Sequence, residues 1–191
     1  MQTSQKTYSS LDRLQSLLPE VFDAKSRTGE LFLRFELGDG INVAIALDRI
    51  FETLRLPAEK LTPMPNMPSS TLGLMGNQGQ VFWVVDLAQA LGLERSLGRT
   101  RQYEIIIVEA LPLDNSATAA ANTANGETLL LGLAVAKIRS TLRLEAAEIT
   151  AADHSDPILA PYVQGQFQRD GDEALILSVE ALSNARGLYG D

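Results

Sequence analysis

Runs of alternating apolar and polar side chains recur along the chain, and this is the period of a half-buried β-strand. The first clear run starts at Leu31 and the second at Ile41, with the short sequence Gly38-Asp39-Gly40 between them. Because glycine accepts the positive φ angles of a tight turn, the two runs are predicted to form a β-hairpin.

The rest of the chain predicts more short strands and few helices. The predicted strands are 81–85, 104–109, 129–135, 138–144 and 174–179. The run 81–85 is apolar at every position, so it is predicted to be covered on both faces. Short helices are predicted at 87–93 and at about 180–188. Two strand clusters, about 30–92 and about 102–180, predict a mainly β protein with two small subdomains.

Two segments stand apart from this pattern. Residues 1–28 are predicted to form an N-terminal helix and a polar linker, because apolar residues recur there at helical spacing behind a serine cap: Leu11, Leu14, Leu17, Leu18, Val21 and Phe22. We expect this helix to pack on the body rather than to dock a partner. The segment 113–128 is rich in Ala, Asn, Thr and Gly, and it is predicted to be a mobile hairpin loop.

Charge and composition exclude several classes of function. With 24 acidic and 16 basic residues among 191, the net charge of −8 disfavours nucleic-acid binding. The basic cluster Arg95, Arg99 and Arg101 is short and is interpreted as a solvated loop. The chain has no cysteine, no signal-peptide core at its N-terminus and no run of 18 apolar residues. A cytoplasmic location without direct membrane insertion is therefore expected.

Candidate catalytic chemistry is sparse. His154 is the only histidine, which leaves little room for a catalytic triad or a multi-histidine metal site. The glycines between residues 73 and 79 lead into a strand, without the Lys-Ser/Thr pair of a phosphate loop. We therefore predict no catalytic residue, no metal and no cofactor. A small β-barrel enzyme or ligand binder, with Asp86, His154 or Glu180 near a pocket, stays open as an alternative.

The positive signal is the proline and methionine content of residues 61–76. Pro63, Pro65 and Pro68 make a stiff connector that lacks N–H donors. Methionines are common in adaptable binding surfaces, although each methionine taken alone, like Trp83, is expected in a core. The segment is interpreted as a protein-docking surface on a β-scaffold.

Several motifs occur in the order seen in CheW-like coupling domains: residues 31–38, 44–47 with Ile50, 61–63, 72–81, 84–87, 131–135 and 161–165. The chain therefore resembles a CheW-like domain over about residues 29–188. Trp83 and the segment Pro65-Asn66-Met67-Pro68 resemble members of the PilI-like branch, which serves pilus-based motility.

The resemblance implies two SH3-like, five-stranded β-barrels that share an apolar core. It also implies a non-catalytic adaptor that couples the cytoplasmic tip of methyl-accepting receptors to the regulatory domain of a CheA-type histidine kinase, in chemotaxis, phototaxis or pilus-based motility. The residues implied to face the kinase are Ile50, Phe51 and Glu52. Those implied to face the receptor are Leu72, Gly73, Gln78 and Gly79.

The chain departs from the family pattern at Gln78. Family members usually carry Asn-x-Arg-Gly at this turn, whereas the aligned residues here are Gly76-Asn77-Gln78-Gly79. A neutral amide replaces a cationic fork, so a charge-assisted receptor contact is expected to weaken by about 1–2 kcal/mol. The second hypothesis is therefore a divergent scaffold or decoupler that no longer binds receptors.

Overall fold

The structure is a computed structural model that describes residues 28–94, 97–98, 100–110, 129–152, 156–169 and 171–185. Several predicted features fall outside these ranges: the N-terminal helix, the loop 113–128, His154, the Arg95 and Arg99 positions, and the end of the C-terminal helix. These features stay predictions.

Within the described ranges the chain forms ten strands and two short α-helices. The strands are β1 (Glu30–Gly38), β2 (Ile41–Ala46), β3 (Ile50–Pro57), β4 (Thr71–Asn77), β5 (Gln80–Asp86), β6 (Gln102–Ala110), β7 (Leu129–Val135), β8 (Lys137–Leu144), β9 (Val163–Arg169) and β10 (Asp172–Leu177). The helices are α1 (Leu87–Ala90) and α2 (Val179–Ser183).

The strands form two five-stranded sheets. Sheet one has the order β8-β1-β2-β10-β9, and sheet two has the order β3-β6-β7-β5-β4. The predicted mainly β fold with two five-stranded SH3-like units is confirmed. The strand membership differs from the contiguous ranges 30–92 and 102–180, because each sheet takes strands from both. Parallel pairing of β10 with β2 and of β7 with β5 joins the two parts of the chain.

Apolar side chains on both faces of the central strands build three cores. In β1, Leu33 and Phe35 belong to a large core that contains residues of both sheets, whereas Phe32 belongs to the interior of sheet one. In β6, Ile106 faces the shared core and Ile105 faces the interior of sheet two. Each such side chain contributes about 1.5–3 kcal/mol when fully buried. The shared core thus makes the two sheets one packed unit.

The expectation that 81–85 is covered on both faces is wrong at its first residue. Val84 and Val85 are buried, Trp83 is partly buried against the shared core, and Val81 is 72% exposed. Val81 pairs with Gly76 close to the β4–β5 turn, at the end of the strand that the shared core does not cover. The apolar run predicted the strand correctly, but it did not predict how much of the strand is buried.

Both helices begin at a side-chain cap. Asp86 is buried, and its carboxylate accepts the backbone N–H groups of Gln89 at 3.3 Å and of Leu97 at 2.6 Å. Ser178 caps α2 by accepting the N–H of Ala181 at 3.2 Å. Capping satisfies N–H groups that have no partner within the helix. These caps fix the positions at which the chain leaves β5 and β10.

Candidate docking surface

A β-bulge presents Phe51 at the start of β3. Ile50 pairs with Val108 and Glu52 pairs with Ile107, so Phe51 is an extra residue with no partner on β6. A bulge bends its strand and redirects the side chain that it carries. Phe51 is 48% exposed, while Ile50 is partly buried against the shared core. The bulge therefore holds an aromatic side chain towards solvent on a rigid base.

An ion pair fixes the residue before this bulge. The Arg49 guanidinium pairs with the carboxylate of Glu180 in α2, and that carboxylate also accepts the Ser178 hydroxyl at 3.0 Å. The backbone N–H of Glu180 itself is the main cause that lowers the pKa of the Glu180 carboxyl from its ordinary value of 4.5. The Ser178 hydroxyl and Arg49 lower this pKa further, while burial partly opposes them. The contact ties the entry of β3 to α2, the helix that follows β10.

The β4–β5 connection is a two-residue turn. Asn77 pairs with Gln80, and both residues between them have positive φ, 49° at Gln78 and 83° at Gly79. Two positive φ values are the signature of a type I′ turn, whose twist matches that of the flanking strands. Gln78 and Gly79 are exposed at the tip. Gln78 thus takes a conformation that costs a non-glycine residue some backbone strain.

The hairpin tip and the β3 bulge touch each other through Glu52. Its Oε2 atom accepts the side-chain amide of Asn77 at 2.8 Å and that of Gln78 at 3.3 Å. Residues implied to face two different partners, Glu52 and Gln78, therefore lie side by side. Asn77 was not predicted to be a site residue. The sequence feature that points to it is its position just before a two-residue turn, where its side chain can reach back across the sheet.

Leu72 and Gly73 lie where β4 meets residues 62–63 and the interior of sheet two. The backbone N–H and C=O groups of Leu74 pair with those of Thr62, both at 2.9 Å, which brings residues 62–63 against β4. A Cβ atom on Gly73 would lie 2.5 Å from the Thr62 carbonyl oxygen, and Gly73 has a φ of 147°. Leu72 is partly buried against the interior of sheet two.

The proline-rich connector is exposed over most of its length. Pro63, Met64 and Pro65 are exposed, with Met64 at 44%, whereas Met75 is buried in the interior of sheet two. Met67 is partly buried. Met64 is therefore the methionine of this segment that a docking partner can reach, whereas Met75 is an ordinary core residue.

Two of the residues proposed for an enzyme or ligand binder, Asp86 and Glu180, lie in the described ranges, and they occupy separate places. Both carboxylate oxygens of Asp86 are engaged by backbone N–H groups. Glu180 lines a cavity of about 150 Å³ together with Arg49, to which it is paired. Across the described ranges, no group of three or more His, Cys, Asp or Glu side chains is placed to hold a metal ion.

Comparison with known proteins decides the family. The model of the CheW-like domain matches residues 31–186. The chain belongs to the CheW-like family. Protein FrzA of Myxococcus xanthus is 35% identical over 82 residues, which is 42% of this chain and about half, 49%, of FrzA.

The fold of this CheW-like chain is similar to that of a solved structure, scaffolding protein TtCheW from Thermoanaerobacter tengcongensis. The TM-score is 0.66 at 19% sequence identity, and the match covers 85% of this chain and 98% of TtCheW. The likeness to TtCheW shows the fold alone. The family match places the chain among CheW-like scaffold and adaptor proteins, which are not enzymes. None of the helices in the described ranges is long and apolar enough to cross a membrane.

Proposed function

We propose that this CheW-like protein couples methyl-accepting receptors to a CheA-type histidine kinase in the cytoplasm, in a pathway of the pilus-motility type. The kinase regulatory domain docks on the β3 bulge, with Phe51 as the anchor, Ile50 beneath it and Glu52 on the polar rim. The receptor tip docks at the β4–β5 hairpin through Gln78 and Gly79. Leu72 and Gly73 hold that hairpin in place.

The observation that carries the proposal is the exposure of Phe51 on a rigid base. Interface energy concentrates in a few aromatic anchors that are surrounded by a polar rim. Phe51 is 48% exposed, the ladder on either side of it is paired with β6, and Arg49 is tied to Glu180. A partner that covers Phe51 therefore meets a surface that is already ordered, which lowers the entropic cost of binding.

Binding of the purified kinase regulatory domain tests this assignment by isothermal titration calorimetry. Phe51→Ala is expected to weaken binding by about 30-fold, the size of a typical hot-spot loss of 2 kcal/mol. Val81→Ala is the matched control, because Val81 is an exposed apolar residue on the same sheet that belongs to β5 and not to the bulge.

The control variant is expected to bind like the unmodified protein, and both variants are expected to keep its unfolding midpoint in urea. Equal affinities for Phe51→Ala and Val81→Ala would remove the bulge from the kinase interface. Absence of binding by the folded, unmodified protein at tens of micromolar would end the coupling proposal.

A divergent scaffold or decoupler is the second candidate, and a specific observation favours it. Gln78 is neutral, and its amide already donates to Glu52 at 3.3 Å. A receptor that requires a cation at this turn finds an occupied amide instead. In this case the protein binds the kinase through Phe51 but competes with receptor-coupled adaptors.

A further inference from the structure

The two edges of sheet two meet at the docking surface. β3 and β4 lie at opposite ends of the strand order β3-β6-β7-β5-β4. In the described part of the chain, β3 pairs with β6 alone, whereas β4 pairs with β5 and, at Leu74, with Thr62. The hydrogen bonds from Asn77 and Gln78 to Glu52 therefore join two edge strands that share no backbone ladder.

Asn77 is the better fixed of the two donors. Its side-chain amide lies 2.8 Å from Oε2 of Glu52 in a partly buried contact, whereas the contact of Gln78 is exposed and measures 3.3 Å. Asn77 also pairs with Gln80 across the turn, so its backbone is held in the β4–β5 ladder. A hydrogen bond to a carboxylate is stronger than one between neutral groups, and partial burial limits competition from water. Asn77 therefore holds the Glu52 carboxylate from a rigid base.

The arginines on either side of Glu52 are engaged elsewhere. Arg49 pairs with Glu180, and Arg55 pairs with Glu104 at 3.1 Å. Among the described residues, the hydrogen-bond partners of Glu52 are the two neutral amides, and no ion pair includes it. Neutral donors fix the carboxylate without cancelling its charge. The rim beside Phe51 thus carries a negative charge in a defined position.

We propose that Asn77 is a positioning residue for the docking surface. Its hydrogen bond to Glu52 joins β3 to β4 across the open side of sheet two, and it holds the bulge that carries Phe51 in the conformation that a partner meets. A partner then binds without having to order the Glu52 side chain, which lowers the entropic cost of association. The joining of the edges rests on the contacts alone, whereas its effect on affinity rests on the proposed docking of the kinase regulatory domain.

Amide hydrogen exchange in the full-length chain, followed by mass spectrometry, tests the joining of the edges without any partner. Asn77→Asp places two carboxylates side by side. It is expected to speed exchange at residues 50–54 by about fivefold, because the lost hydrogen bond and the like charges favour local opening. Glu52→Gln combined with Asn77→Asp exchanges donor and acceptor, so one hydrogen bond forms again with reversed polarity. This double variant is expected to return to the exchange rate of the unmodified protein.

Gln80→Asp is the charge-matched control, because Gln80 is exposed on the other side of the same turn. It adds the same charge away from Glu52 and is expected to leave exchange at residues 50–54 unchanged. Unchanged exchange in Asn77→Asp would overturn the inference. So would equal acceleration by Asn77→Asp and Gln80→Asp, or a double variant that exchanges as fast as Asn77→Asp alone.

Affinity for the purified kinase regulatory domain tests the positioning role itself. Asn77→Ala is expected to weaken binding by about fivefold, the cost of ordering one long side chain, while Gln80→Ala binds like the unmodified protein. A lower unfolding midpoint of Asn77→Ala in urea with unchanged affinity would make Asn77 a structural residue only and would overturn the role. If the unmodified protein does not bind the kinase domain, the proposed function fails, and the exchange rates still decide whether Asn77 joins the two edges.

Discussion

The β3 bulge and the β4–β5 hairpin belong to one sheet, and they use their residues in different ways. At the bulge, Phe51 leaves the ladder and stands in solvent, so its side chain is available to a partner. In the hairpin strand, Gly73 lies against the Thr62 carbonyl group and has no space for any side chain. One residue offers a surface, and the other allows two stretches of backbone to approach each other.

The difference matters when the roles of site residues are inferred from one family member to another. A resemblance assigns Phe51 and Gly73 alike to docking regions, but the contacts separate an exposed side chain at Phe51 from a close backbone contact at Gly73. Gln78 and Gly79 at the hairpin tip are exposed, so the region that the resemblance implies to face the receptor contains both kinds. Substitutions at these positions test the distinction between exposed residues and residues that hold the fold.

The largest effect is expected at Gly73. Gly73→Ala puts a Cβ 2.5 Å from a carbonyl oxygen at a φ of 147°, so it should lower the free energy of unfolding by about 3 kcal/mol or more. Gly79→Ala is the matched control in the same hairpin, because a Cβ there meets nothing within 4 Å, and its cost is the positive φ alone, about 1 kcal/mol. Urea unfolding measures both. Equal losses would deny Gly73 its structural role.

A smaller effect is expected from restoring the cation at position 78. Gln78→Arg should strengthen receptor binding by roughly tenfold, the value of a charge-assisted hydrogen bond of 1–2 kcal/mol, and leave kinase affinity unchanged. Glu52 lies close enough to hold the new guanidinium, as it holds the Gln78 amide at 3.3 Å. Gln78→Arg with Glu52→Gln should therefore bind receptor tips more tightly than Gln78→Arg alone.

Gln80→Arg is the control for the change in net charge, since Gln80 is exposed one residue beyond the turn. Surface plasmon resonance with an immobilised receptor tip gives the affinities. If Gln78→Arg changes neither receptor nor kinase binding, the decoupler hypothesis is removed.

The smallest effect is expected from the ion pair before the bulge. Because the folded protein lowers the pKa of Glu180, its carboxylate contributes stability above about pH 4.5 that is lost as pH falls through the lowered pKa. The pair is partly exposed, so the contribution after solvent screening is less than about 1 kcal/mol.

Glu180→Gln should thus lose less stability than the unmodified protein between pH 7 and pH 3. Unfolding midpoints in urea at the two pH values measure the difference. Parallel pH dependence of the two proteins would show that the Glu180 carboxylate contributes no pH-dependent stability.

Most strands follow from local pattern, and the strands that were missed have physical causes. β1, β2, β5, β6, β7, β8 and β10 were predicted because side-chain alternation and turn glycines are local signals. β9 was not predicted: its sequence, Val-Gln-Gly-Gln-Phe-Gln-Arg, has only Val163 and Phe167 as large apolar residues. It is a strand because β10 pairs along it and Thr150 bridges to Gln166 on its other side.

The candidate site was predicted in part. Exposure of Phe51 and of the hairpin tip agrees with the residues implied by the resemblance, while their roles in binding remain predictions. The contact of Glu52 with Asn77 was not predicted, because it joins residues 25 positions apart across a curved sheet. Burial of Met75 agrees with the expectation for a methionine taken alone, whereas the exposure of Met64 does not.

Local patterns in the sequence specify the strand period and the turn at Gly79, and its composition specifies the net negative charge. Tertiary structure alone decided that β1 and β2 join β8, β9 and β10, that Phe51 leaves the ladder, and that Gly73 lies against Thr62. The reason is the range of the interactions. Alternation and turn preference act within a few residues, whereas strand partners, bulges and close backbone contacts depend on chain segments that meet only in the folded protein.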